Sequence, residues 1–144
     1  MWTPGREINN IDTKAQTFKR YKYIPGDSNS ISSNFALSLK KDRLGNIWIG
    51  TNRGLNKFNE VTETFTVFGI SARDSINLKD HNITNIYEDK NGNLWLAVFD
   101  FGLVKFEPGS GKFIKYENDS RKDNSLSLNF VTCVFEDLSG VLWV

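Results

Sequence analysis

Asp42-Arg43-Leu44-Gly45-Asn46-Ile47-Trp48-Ile49 returns as Asp89-Lys90-Asn91-Gly92-Asn93-Leu94-Trp95-Leu96, and again as Asp137-Leu138-Ser139-Gly140-Val141-Leu142-Trp143-Val144. Trp48 and Trp95 stand 47 residues apart, Trp95 and Trp143 stand 48 apart, and Trp2 precedes Trp48 by 46. The rest of the period keeps phase with these segments. Gly54-Leu55-Asn56-Lys57-Phe58 is matched by Gly102-Leu103-Val104-Lys105-Phe106, and more loosely by Glu7-Ile8-Asn9-Asn10-Ile11. Aromatics follow the last member of each at seven and ten residues: Phe18 and Tyr21, Phe65 and Phe68, Phe113 and Tyr116. A polar connection comes next, Asn29-Ser30-Ile31-Ser32 or Asn124-Ser125-Leu126-Ser127, with Ile76-Asn77-Leu78-Lys79 as the divergent middle copy. Features held in one phase across the chain define an internal repeat.

Each period carries four strand-like stretches. In one copy they are Ala36-Lys41, Asn46-Thr51, Leu55-Phe58 and Thr64-Phe68; in the next, Ile83-Glu88, Asn93-Val98, Leu103-Phe106 and Lys112-Tyr116. None has a helical period. Around Trp48, the ring points to one face and Ile47 and Ile49 to the other, so both faces are expected to be buried. Asp42/Gly45, Asp89/Gly92 and Asp137/Gly140 fit a turn in which the Asp carboxylate accepts backbone N–H groups and Gly supplies the left-handed position of a bulged hairpin. Short antiparallel strands, four to a repeat and buried on both sides, predict an all-β chain: a β-propeller fragment of about three four-stranded blades. The expected division is an incomplete blade over residues 1–35, blades over 36–82 and 83–130, and the first strands of a further blade over 131–144. The four Trp are expected in the core between blades, and the open ends of the stack are expected to need further blades or self-association.

Composition narrows the function classes. Eighteen Lys and Arg against seventeen Asp and Glu leave a net charge of +1, which argues against nucleic acid as the partner. A single Cys, Cys133, excludes an intrachain disulfide, and a single His, His81, excludes paired-His metal sites. No metal or cofactor is expected: the Asp89-Lys90-Asn91-Gly92-Asn93 run has Gly at the wrong place for a calcium loop and lacks the closing Glu. No apolar run is long enough to span a bilayer and no signal peptide is visible, so membrane contact by this segment is not expected.

The pattern Asp-x-x-Gly-Asn, hydrophobic-Trp-hydrophobic-Gly-Thr and Gly-Leu-x-Lys-Phe, most complete from Asp42 to Phe58, resembles the two-component regulator propeller repeat. Ala97-Val98-Phe99-Asp100-Phe101 departs from it where Gly-Thr would stand, and so does the first copy at Trp2-Thr3-Pro4-Gly5-Arg6. The resemblance implies a segment of the periplasmic sensor ectodomain of Bacteroidetes hybrid two-component histidine kinases. By that implication the ligand is an oligosaccharide, and signalling passes to a membrane-anchored kinase that lies outside this chain. The chain itself has no phospho-accepting His motif, and no catalytic residue is expected.

In a propeller, ligands meet the connections at one end of the blades. Here those are 50–54 and 97–102, with the longer 22–35, 69–82 and 117–130. Phe99-Asp100-Phe101 is the leading candidate, since two rings and a carboxylate suit the C–H face and hydroxyls of a sugar. The competing expectation is that both rings simply pack into a neighbouring blade. Asn52, Arg53 and His81 are further candidates; Arg73 and Arg121 are weaker ones. Alternatives in other classes are a lyase resembling streptogramin lyase, which would need a catalytic His with an acidic partner and a metal, and a protein-interaction scaffold. Sialidase-type Asp boxes are also similar, but with a shorter Asp-to-Gly spacing.

Overall fold

The computed structural model describes residues 7–70 and 74–144 in full, and residues 2–3 by their backbone. The Trp2 side chain and Arg73 therefore lie outside the described residues. Strands β1 (Trp2–Thr3), β2 (Ile8–Asp12) and β3 (Thr17–Tyr21) form one antiparallel sheet. β4 (Ala36–Lys41), β5 (Ile47–Thr51), β6 (Leu55–Asn59) and β7 (Thr64–Phe68) form a second. β8 (Ile83–Glu88), β9 (Leu94–Val98), β10 (Gly102–Glu107) and β11 (Lys112–Tyr116) form a third. β12 (Phe135–Glu136) pairs with β13 (Leu142–Trp143). Strand order within each sheet follows chain order, so each is a meander of tight antiparallel connections. The architecture is the all-β propeller fold that the repeat predicts, and no described residue is helical.

The observed strands agree with the sequence-derived stretches to within a residue at each end. One feature escapes the pattern. Both complete sheets carry a register shift at the same place in their first strand, between Ala36 and Ser38 and between Ile83 and Asn85. Such a bulge bends the strand and adds twist.

Sheet-on-sheet burial is what joins the repeats. Trp48 is 1% exposed and packs edge-on to Phe106 of the following sheet, ring centroids 5.7 Å apart. Ile47 and Ile49, on the other face of β5, join Ile8, Ile31, Phe58 and Phe65 in the cluster towards the preceding sheet. Trp95 is half-buried against the β12–β13 side, beside Val134 and Leu142. Trp143 departs from the expected core placement: it is 61% exposed. No further sheet lies on its face among the described residues, and the preceding copies show that the following sheet is what covers this position.

The Asp-x-x-Gly turns follow the expected mechanism and add one bond to it. Asp42 N–H donates to the Asn46 carbonyl (2.9 Å), Gly45 N–H donates to the Asp42 carbonyl (3.0 Å), and Gly45 has φ +87°. The Asp42 carboxylate accepts from the Leu44 and Asn46 amides at 3.0 and 2.7 Å. It also accepts from the Trp48 indole Nε1 at 2.8 Å. The same indole bond recurs from Trp95 to Asp89 and from Trp143 to Asp137, both at 2.9 Å. Burial works to raise the carboxyls of Asp42 and Asp89, but the converging donors from Trp, Asn and backbone outweigh it and hold both below the ordinary carboxylate value. A further contact reaches between sheets. Arg43, inside one turn, bonds Glu88 through Nε (2.7 Å) and the Lys90 carbonyl through a guanidinium nitrogen (2.7 Å) in the next turn.

Two kinds of glycine are separable by mutation. Gly92 has φ +82° and open space around it, so only backbone strain opposes a side chain; Gly92→Val is expected to destabilise by ~1–3 kcal/mol. A Cβ on Gly50 would stand 2.3 Å from Ser38 Oγ and 2.8 Å from the Ile83 carbonyl of the next sheet. Gly50→Ala is therefore expected to lower the denaturant midpoint further than Gly92→Ala does. Acid titration checks the clasp. A carboxylate depressed by folding stabilises above its unfolded value, near pH ~3.9, and that contribution is lost as pH falls through the folded value. Asp89→Asn is expected to lose stability at pH 7 and to show a shallower stability loss below about pH 4 than the parent in urea melts.

Candidate functional site

At the end of the sheets opposite the Asp-x-x-Gly turns, three segments distant in sequence meet. They are the β3–β4 connection, the β5–β6 loop and the β7–β8 connection. Between them lies a cleft of about 660 Å³. Tyr23, Asp27, Ser28 and Asn29 form one wall, Arg53 and Lys79 another, and Phe65, Thr66, Val67 and Ile70 the side along β7. Main-chain pairing between Arg53 and Lys79, an isolated antiparallel bridge, brings the two cations to the same wall. The Arg53 guanidinium stands 5.8 Å from the Tyr23 ring centroid, within cation–π range. Neither Arg53 nor Lys79 has an ion-pair partner among the described residues. Among the described lining residues the one carboxylate, Asp27, accepts the Asn29 amide at 2.9 Å and so closes a local turn.

The loop that presents Arg53 is held from beneath by a buried polar knot. Thr51 Oγ1 accepts the Arg53 amide (2.9 Å) and donates to the Gly54 carbonyl (3.1 Å). Ser32 Oγ bonds Thr51 Oγ1 at 2.9 Å, and Asn56 Nδ2 donates to Ser32 Oγ at 2.9 Å. Asn56 Oδ1 accepts the Ser32 amide at 2.9 Å. Ser32, Thr51 and Asn56 are all buried, so the knot must be satisfied internally, and it fixes the loop to the β3–β4 connection. Phe65 N–H donates to the Asn29 carbonyl (2.8 Å), holding that connection onto β7.

The next sheet is built differently. Val98 and Val104 stand where Thr51 and Asn56 stand, so the knot is replaced by apolar packing. The loop between Trp and Gly is one residue longer, and Asp100 takes up the difference with φ +58°. Its two rings diverge. Phe99 is 41% exposed and meets Phe130 edge-on at 5.3 Å, towards the β11–β12 connection. Phe101 packs on the core of its own sheet, with His81 at 4.2 Å between centroids and Lys115 Nζ 3.9 Å from its ring. Asp100 is exposed. The two aromatics and the carboxylate thus do not converge on one space. His81 serves as a ring neighbour of Phe101. Asn52 lies beside Arg53 in chain, but its Oδ1 is buried with no hydrogen-bond partner among the described residues, and it does not line the cleft. Arg121 folds back on Asp119 through Nε at 3.0 Å, and Asp119, with Arg121 as its strongest partner, is lowered to about 2.

Of the sequence candidates among the described residues, Arg53 alone lines the cleft. Tyr23 and Lys79 are additions from the structure. The available signal was the paired exchange of Thr51 and Asn56 for Val98 and Val104 between copies, which marks one loop as built on polar support. Phe101→Ala is expected to destabilise by ~2–4 kcal/mol because it opens a cavity under its sheet. Phe99→Ala is expected to change stability by less than ~1 kcal/mol; paired thermal melts of the two variants measure the difference.

Residues 30–53 and 77–100 each match the family described as two component regulator propeller. Among solved structures, the chain resembles one described as the extracellular domain of a hybrid two component system, BT4673, from B. thetaiotaomicron. That likeness has a TM-score of 0.77 and 21% identity over 99% of this chain and 18% of that one. A second, the corresponding domain of BT3049 from the same organism, gives 0.79 and 20% over 99% and 19%. PorZ, a surface component of the type-IX secretion system of Porphyromonas gingivalis, gives 0.59 and 14% over 94% and 28%. The chain therefore spans less than a fifth of the two former structures. No curated protein matches it by sequence.

Proposed function

We propose that this chain, which carries two component regulator propeller repeats, is a non-enzymatic segment of an extracytoplasmic sensor domain that binds an oligosaccharide at the connection end of its blades. The observation that carries this reading is the cleft between the β3–β4, β5–β6 and β7–β8 segments, to which the matched stretches contribute Ser30, Ile31, Ser32, Arg53 and Lys79. Its volume falls in the range of small-molecule sites, roughly 300–1,000 Å³. Its lining combines an aromatic ring, aliphatic patches at Val67 and Ile70, and the hydroxyl and amide groups of Ser28, Asn29 and Thr66. That mixture suits a sugar, whose ring has an apolar C–H face and whose rim is hydroxylic. Likeness of fold to extracellular domains of hybrid two component systems supports a sensor role, with output passing to a kinase outside these residues. A periplasmic setting follows from the same reading.

The experiment is calorimetric titration of the chain with a panel of neutral and acidic oligosaccharides. Binding of at least one member, weakened about tenfold or more by Tyr23→Ala, is the expected result. Absence of binding across the panel, with the chain folded by circular dichroism, overturns the saccharide assignment.

A further inference from the structure

Two cations on one wall of a polar cleft impose a requirement on the occupant. Arg53 and Lys79 are brought together by main-chain pairing, not by a shared counter-ion. Like charges so placed repel; Arg53 is half-buried and Lys79 is exposed, so an anion that bridges them relieves a repulsion already moderated by solvent. Asp27, the one acidic side chain among the described lining residues, accepts a backbone amide of its own turn. Among the described lining residues, two cations against one carboxylate leave an excess positive charge. Arg53 is also pre-positioned. Its amide is held by buried Thr51, and its guanidinium stands 5.8 Å from the Tyr23 ring centroid, which sets the backbone and biases the side chain toward the cleft. A planar guanidinium fork matches the paired oxygens of a carboxylate or the oxygens of a sulfate ester.

We infer that the cleft selects a saccharide bearing an oxyanion, a uronic-acid carboxylate or a sulfate ester, with Arg53 and Lys79 as the groups that read its charge and Tyr23 as the surface beneath. The inference rests on the saccharide-binding reading above and narrows it to one ligand class. Screening follows from it: affinity for the anionic sugar falls as salt is raised, whereas affinity for a neutral sugar does not.

The test compares tetragalacturonate, its carboxyl-reduced neutral tetramer and a sulfated galactan tetrasaccharide on the 144-residue chain at low and at high salt. Tetragalacturonate or the sulfated sugar is expected to bind about tenfold or more tightly than the neutral tetramer at low salt. Whichever of the two wins identifies carboxylate or sulfate ester as the source. Arg53→Ala and Lys79→Ala should each erode that preference, and the double variant should abolish it, so that charged and neutral tetramers bind alike. Arg53→Lys, which keeps the charge but not the fork, should retain part of it, and melting curves verify that each variant is folded. Equal binding of charged and neutral sugars, or a preference that survives the double variant, overturns the inference and leaves the sensor reading standing. Failure of all three sugars to bind overturns this inference, and the saccharide reading falls with it only if the wider panel of oligosaccharides fails as well.

Discussion

One carboxylate per repeat organises the molecule. Asp42, Asp89 and Asp137 each hold the amides of a tight hairpin and, in the same act, the indole nitrogen of the Trp six residues on. A buried indole N–H needs an acceptor. The turn supplies it, so the ring that fills the space between sheets is aimed by the hairpin that joins their first two strands. Local turn chemistry and long-range packing thereby become one event. The consequence runs along the stack: Trp48 disappears beneath the next sheet, while Trp143 has the same clasp and stays mostly exposed. The clasp forms within a repeat; the burial needs its neighbour. That is the nearest-neighbour logic of repeat proteins, in which stability resides as much in interfaces as in units.

Arg43 carries the same coupling into the polar layer. It reaches from one turn to Glu88 and to carbonyls in the next, so the turn ends of adjacent sheets are tied by charge as well as by packing. With that end fixed, the opposite end is free to vary. The β5–β6 loop stands on a knot of Ser32, Thr51 and Asn56, whereas β9–β10 stands on Val98 and Val104 and spans one residue more. The same framework thus offers a cationic loop in one sheet and an aromatic one in the next. Function on a repeated scaffold arises from such differences between copies, not from what the copies share.

How much of this could be read from sequence follows from the range of each interaction. Strands, hairpins and the left-handed glycines were legible because their determinants lie within a few residues and recur in phase. The indole–carboxylate bond was not, since a Trp at blade spacing reads as packing alone. Phe99-Asp100-Phe101 reads from sequence either as one cradle or as two rings packed into a neighbouring blade, because adjacent side chains suggest one place. The extra residue, accommodated by Asp100 at positive φ, sends one ring to Phe130 and the other to His81. The cleft was hidden for another reason. Tyr23, Arg53 and Lys79 lie 30 and 26 residues apart, and only sheet stacking makes them neighbours. Arg53 was visible as a loop cation; what its charge was placed beside was not.

The position of the cleft bears on how binding could be transmitted. Its walls come from the connection entering the β4–β7 sheet, from a loop within that sheet and from the connection leaving it. The first continues directly into β4 and the last into β8, and these two first strands lie against each other, joined by the bond from Ser38 Oγ to the Ile83 carbonyl at 2.8 Å. A ligand that contacts both connections has an interaction energy that depends on how the two sheets are set. By linkage, anything that alters that setting alters affinity, and the ligand biases the setting by the same free energy. Close packing makes such an interface respond in discrete arrangements and not by gradual yielding. On the proposed reading, a ligand seated across this sheet-to-sheet junction is mechanically suited to report its occupancy along the stack.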